Sequence, residues 1–339
     1  MSWDEERAPP PAEPAGWLPD APPTGAAVVS AYRWILGRDP ESAQVITAHA
    51  MGCETVEELR RRLMASAEFR ERSGFAGTPA LAQGPAPSIA LEADPDQLAR
   101  LLQLGQRYWQ RMGEIAPLWS AVPEPIYRGQ RIEGSRRSFY ASGREDRDLL
   151  EGVLGRLGVT PARIGRLVEF GCGAGRATLH LAALTPDVTG VDFAPSQLAV
   201  ARAEAEERGL DHIRWRRVSA GMTMPEDGCD LWFSRRTLQH NPPPVIRALL
   251  RRTFADLRPG AIAAFQLLSW GLGYGFTLAE ALAAPAASGA PPLHVLPQAE
   301  VFALVAEAGC EMLAVHDDPL QGLDRTRWLS HLFVLRRLA

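Results

Sequence analysis

The sequence predicts an α/β fold around a mostly parallel sheet, preceded by a small all-α domain. Three observations lead there. From about residue 144 onward, short apolar strand-like runs alternate with helical periods, the pattern of right-handed βαβ units. One strand runs directly into Gly171, Gly173 and Gly175 and then into a helix. Before all of this, residues 27–73 place their apolar residues at helical spacing only.

The elements follow in order. Residues 1–26, rich in Pro, Ala and acidic residues, read as a disordered leader. The helical bundle spans 27–73. It is broken at Gly37-Arg38-Asp39-Pro40, resumes near Glu41, and starts a third helix near Thr55, where Glu58 completes the spacing of a capping box. A Gly/Pro/Ala linker covers 74–94, and a helical connector covers 95–121, with Asp94 as N-cap and Pro95 in the first turn. The domain proper is expected over 122–339. Its helices are predicted at 144–157, 175–184, 195–209, 244–256 and 298–308. Strands are predicted near 166–171, 187–192, 212–218, 229–234, 261–268, 311–317 and 329–336, the last two as an antiparallel pair at one edge.

Composition narrows the function. The chain has 339 residues, 46% of them hydrophobic, enough for a substantial core, and a formal net charge of −4. Every strongly basic side chain is Arg, and no dense basic run occurs, which argues against sequence-independent nucleic-acid binding. Cys53, Cys172, Cys229 and Cys310 lie far apart without paired His, so neither a metal site nor a disulfide framework is expected. An acidic N-terminus and the lack of any run of about 18 apolar residues predict no signal peptide, no membrane span and a cytoplasmic protein.

The glycine turn carries the chemistry. Glycine is needed where φ is positive and where backbone must approach a ligand without a Cβ. A dinucleotide fingerprint, G-x-G-x-x-G/A, fails because Arg176 stands at its sixth position. The segment instead reads Glu169-Phe-Gly171-Cys172-Gly173-Ala-Gly175. This resembles motif I of class I S-adenosylmethionine (SAM) dependent methyltransferases. The resemblance implies a Rossmann-like seven-stranded mixed sheet and SAM as cofactor, whose sulfonium and ammonium suit the Glu169 carboxylate. Asp192, at the predicted end of the second strand and 21 residues after Gly171, can accept both ribose hydroxyls. Phe193 would flank the adenine. Gly228–Ser234 and Leu257-Arg-Pro-Gly260 match the family's fourth strand and the turn before its fifth, adding Ser234 to the cofactor set. After the third strand, where many relatives carry an acid, this chain offers only Ser219 and Ala220. The segment Arg136–Arg147 resembles one that closes over SAM, which carries that role to Tyr140 and Arg144.

For an oxygen acceptor a general base is required. His240, after the fourth strand, is one candidate and His294, after the insert 270–297, the other; each has a packing role as its alternative. The insert, rich in Gly and Ala, reads as a mobile cover. Arg235 and Arg236, with Arg216 and Arg217, either surround an anionic acceptor or form a solvated face. The bundle at 27–73 resembles a short helical domain, similar to phycobilisome-linker modules, found fused to bacterial glycan-pathway enzymes; Tyr32–Pro40 and Leu63–Phe69 carry that likeness. It implies a protein partner and a sugar acceptor in surface-polysaccharide biosynthesis. The alternatives are N- or C-methylation of a natural product and a non-catalytic SAM-binding scaffold.

Overall fold

The computed structural model describes residues 20–69, 88–122, 127, 132–218, 224–225, 228–283, 292–318 and 323–338. Within these, no helix is long and apolar enough to cross a membrane. The chain divides into two compact units, Met1–Thr78 and Pro79–Ala339.

In the first unit, Thr24 caps α1 (Gly25–Ala31), which runs into a π turn (Tyr32–Leu36) ended by Gly37 at φ 65°. Two further helices follow, α2 (Ala43–Gly52) and α3 (Val56–Met64). Thr55 caps α3 as its spacing predicts, accepting the Glu58 N–H at 3.1 Å, but the Glu58 carboxylate turns back to the Glu54 N–H at 2.8 Å rather than to Thr55. Val28, Tyr32, Leu36, Cys53, Leu59 and Leu63 form the unit's core. Arg38 bridges Glu68 at 2.5 Å, joining the two stretches that carry the likeness to the helical modules.

The second unit opens with α4 (Pro95–Ile115), capped by Asp94 in a full capping box with Gln97, then α5 (Pro117–Ala121) and the long α6 (Ile132–Arg156). The sheet and its crossovers follow: β1 (Arg166–Phe170), α7 (Thr178–Leu181), β2 (Asp187–Asp192), α8 (Pro195–Glu207), β3 (Arg214–Arg217), β4 (Leu231–Ser234), α9 (Pro243–Asp256) and β5 (Ile262–Gly271). Last come α10 (Leu278–Ala283), α11 (Gln298–Glu307), β6 (Cys310–Asp317) and β7 (Trp328–Arg337). Seven strands lie in the order β3-β2-β1-β4-β5-β7-β6, with β7 antiparallel to both its neighbours. This is the expected seven-stranded mixed sheet of the Rossmann-like kind.

The central strands are buried and mostly apolar because both faces are covered. Val168, Phe170, Trp232 and Phe265 pack to one side with Leu249 and Phe254 of α9, while Leu167, Leu231 and Phe233 pack to the other with Leu150 and Leu154 of α6. The strand order reverses between β1 and β4, the switch point at whose carboxyl ends ligands bind in such sheets.

Two elements differ from expectation. The helix read from residue 144 begins at Ile132, and Gly143 lies inside it: a Cβ there would sit 1.9 Å from the Arg176 carbonyl oxygen, so this glycine lets α6 cross the turn that follows β1. The helix read over 175–184 is regular only at 178–181, because the glycine turn takes up its start.

Candidate cofactor crevice

At the switch point a crevice opens over the carboxyl ends of β1, β2 and β4. Glu169, Gly171, Cys172, Gly173, Asp192, Phe193 and His240 border it, together with Trp109, Ser120, Gln197, Arg235 and Arg236. The sheet topology thus brings together most of the residues singled out above.

The three glycines do different work. All have positive φ (75°, 52° and 82°). A Cβ on Gly171 would lie 2.0 Å from Thr237 Cγ2, and one on Gly175 2.9 Å from Trp215, so these two let neighbouring chain close in. A Cβ on Gly173 would meet nothing nearer than 3.7 Å. The space in front of Gly173 belongs to the crevice, as the close approach of a ligand requires.

Asp192 ends β2 and accepts the Gly173 N–H and the Ala194 N–H, both at 2.9 Å. Each oxygen keeps a lone pair for a hydroxyl donor. Burial pushes its carboxyl above the usual range, against the pull of these N–H groups. Phe193 stands edge-on to Phe170 at 5.8 Å. Glu169 is buried, accepts the Thr178 hydroxyl at 2.5 Å, and is pushed up to about 8 chiefly by burial, with Thr178 holding it down. At neutral pH it is largely protonated, and a cation arriving beside it would drive the proton off.

Beyond β4, Arg235 is buried in a bidentate pair with Asp318 (2.6 and 2.8 Å) and bonds Asp146 at 2.7 Å; Arg176 pairs with the same Asp146 at 2.5 Å. Two cations and two anions balance. Arg236 is different. It holds φ 61°, the one non-glycine residue with positive φ among the described residues, and its N–H is fixed by Gln266 Oε1 at 2.9 Å. Its buried Nε has no partner. Arg216 and Arg217 are exposed on the edge strand β3, away from the crevice lining.

His240 closes a single 3-10 turn, Leu238–His240. Its Nδ1 lies 3.1 Å from the Pro292 carbonyl, which only accepts, so the proton sits on Nδ1. Nε2 has only the Gln239 amide at 3.5 Å. Burial pushes the ring down to about 4. His294 does not border the crevice: its N–H donates to the Gln239 carbonyl at 2.7 Å and its Nδ1 pairs with the Tyr274 hydroxyl at 2.9 Å, so it braces the wall behind His240.

The other expected residues fall as follows. Tyr140 is buried under the glycine turn and donates to the Ala174 carbonyl at 3.2 Å. Arg144 is exposed on a separate surface hollow with Glu145 and Asp148, because the turn of α6 that meets the crevice side is occupied by Gly143. Ser234 is fully buried and donates to the Phe170 carbonyl at 3.0 Å, tying β4 to β1 instead of facing the crevice. Gly175 likewise packs behind the turn. Ser219 and Ala220 lie outside the described residues, as does 284–291 of the insert. The sequence reading missed Trp109, Ser120 and Gln197. The first two lie on 95–121, which sequence alone separates from the domain but which belongs to the same compact unit. No local signal marks them.

Residues 167–260 match the family described as methyltransferase domain. A ubiquinone biosynthesis O-methyltransferase of Paramagnetospirillum magneticum is 27% identical over 170 residues, 50% of this chain and 61% of that protein. One of Methylocella silvestris is 33% identical over 124 residues, 34% of this chain and 42% of that protein. The chain therefore spans less than two thirds of the length of these curated relatives. The crystal structure of magnesium protoporphyrin IX methyltransferase from Synechocystis PCC 6803, with bound S-adenosylhomocysteine (SAH), shares the fold: its TM-score is 0.50 at 15% identity, over 70% of this chain and 99% of that one. Residues 167–260 are a methyltransferase domain of the class I, S-adenosylmethionine-dependent kind.

Proposed function

We propose that the chain methylates an oxygen of a small molecule, with SAM as methyl donor. One observation supports this above the rest: the crevice bordered by Gly173 and Asp192 on one side is bordered on the other by His240, whose Nε2 lone pair meets only the Gln239 amide, in a long contact at 3.5 Å. The cofactor, when bound, supplies a methyl group on a sulfonium, a leaving group that needs alignment more than activation. Asp192 would hold the ribose hydroxyls, Phe193 the adenine edge, and Glu169 the cationic amino-acid end. His240 Nε2 takes the proton of the acceptor hydroxyl as the new bond forms. Burial keeps that ring neutral, and so ready to accept, at physiological pH.

The names of the two curated relatives support oxygen as the methylated atom and a small molecule as the acceptor. Arg236, an unpaired cation on the crevice wall, favours an acceptor with a carboxylate or phosphate. A sugar acceptor in surface-polysaccharide assembly has behind it only the likeness of residues 27–73.

The test is calorimetry with SAM and SAH, followed by methyl transfer to phenols and sugars offered with and without a carboxylate. Micromolar SAH binding and a methyl ether on an anionic acceptor are expected. No binding of either ligand would overturn the reading, and methylation confined to amines would overturn the choice of oxygen.

A further inference from the structure

Gln197 is 3% exposed and borders the crevice from α8. Its Nε2 donates to the Pro117 carbonyl at 3.1 Å and to Ser120 Oγ at 2.5 Å. A proline carbonyl only accepts, so the amide cannot be turned over: nitrogen faces α5, and Oε1 must face the other way. That oxygen is buried and has no partner. It lies 4.0 Å from where a Cβ on Gly173 would stand, at the glycine whose N–H also binds Asp192. A buried carbonyl left unsatisfied keeps the desolvation cost that a donor would offset. The protein supplies everything here except the donor.

We propose that Gln197 reads the nucleoside part of the cofactor, accepting one hydrogen bond from a ribose hydroxyl or from the adenine amino group. This rests on the methyltransferase reading above. Asp192 and Gln197 then form a pair of acceptors on either flank of Gly173. The clamp through Pro117 and Ser120 makes α5 part of the cofactor site, since it sets which atom of the amide the ligand meets. The geometry also selects chemistry: a fixed acceptor admits O–H or N–H and penalises a carbonyl or a bare ring nitrogen in the same place.

The experiment is calorimetry on the full chain and on Gln197→Leu. The probes are SAH, 5′-methylthioadenosine, the 2′-deoxy and 3′-deoxy forms of the latter, and its inosine counterpart. The variant should bind SAH and 5′-methylthioadenosine about tenfold more weakly, the loss of one well-placed hydrogen bond. One of the three altered nucleosides should bind wild type equally weakly and lose nothing further in the variant, which identifies the donor. Asp192 also meets the ribose hydroxyls, so the Gln197 bond is read only as a loss shared by an altered nucleoside and the variant, and Gln197→Met repeats the comparison should Gln197→Leu fold poorly. Equal binding of all four nucleosides by wild type would overturn the proposal. So would a loss in Gln197→Leu confined to SAH, because the donor would then be the amino-acid ammonium. SAH bound by wild type with the Gln197 results negative sinks this proposal alone, whereas no SAH binding at all removes the methyltransferase reading beneath it.

Discussion

Gly171 and Thr237 touch so closely that a single added methyl on Gly171 would fall 2.0 Å from Thr237 Cγ2. The Thr237 hydroxyl also donates to the Gly171 carbonyl at 3.2 Å. The turn after β1 and the loop after β4, 66 residues apart, are thus one packed wall of the crevice.

Gly171→Ala combines that clash with a φ of 75° and should cost about 3 kcal/mol or more in stability. Gly173→Ala keeps its neighbours clear, so its strain should cost about 1 kcal/mol while SAH affinity falls more than about tenfold. Denaturant melts and calorimetry on the two variants separate a packing glycine from a ligand-facing one. Equal behaviour of the pair would contradict the assignment.

Asp192→Ala should weaken SAH binding about 10- to 100-fold, because hydrogen bonds to a charged acceptor are worth about 1.5–3 kcal/mol. The same change frees the Gly173 and Ala194 N–H groups, so the glycine turn should also exchange its amide protons faster. Hydrogen exchange reads this second effect with no ligand present.

Glu169 titrates at about 8 in the folded chain against an ordinary 4.5, chiefly because it is buried. Folding then takes up a proton at intermediate pH, so this group's contribution to stability is complete below pH 4.5 and is lost as pH rises through about 8. Gln, which mimics the protonated acid, should remove that dependence. Denaturation of wild type and Glu169→Gln at pH 5, 6.5 and 8 should show their difference shifting in the variant's favour as pH rises. A constant difference would mean that Glu169 is ionised throughout.

His240→Gln should lower kcat by about 10²- to 10⁴-fold with SAH affinity unchanged, the pattern of a lost general base. The wild-type pH profile should fall off toward pH 4 rather than 6.5, since burial holds the ring near 4. A kcat close to wild type in the variant would reassign His240 to packing against Trp109, whose ring lies 5.5 Å away.

Arg235→Met should destabilise the chain by about 3–5 kcal/mol, because it strands the buried Asp318 and leaves Asp146 with Arg176 alone. The Asp318→Asn change should be milder, leaving Arg235 its bond to Asp146. Denaturant midpoints of the two variants, compared with wild type, check the order.

Much of the fold was legible because its signals are local. The strands β1, β4 and β5 announce themselves as mostly apolar runs, and Gly171, Gly173 and Asp192 stand at strand ends, so topology alone carries them to one crevice. Ser234 and Arg144 were less legible. Whether a strand-end serine faces a ligand or a neighbouring carbonyl depends on a partner 64 residues away, and α6 turns Arg144 outward because a glycine is needed at the crossing with Arg176.

The sequence by itself determined the α/β class, the glycine turn and the acid at the end of β2, since each depends on period and on φ, which are properties of neighbouring residues. Only the tertiary structure decided that α4 and α5 wall the crevice, that Arg235 is neutralised while Arg236 is left free, and that His240 stays neutral. Burial and pairing across the sheet set those outcomes. Desolvation and ion pairing depend on which distant groups arrive together, and no spacing along the chain records that.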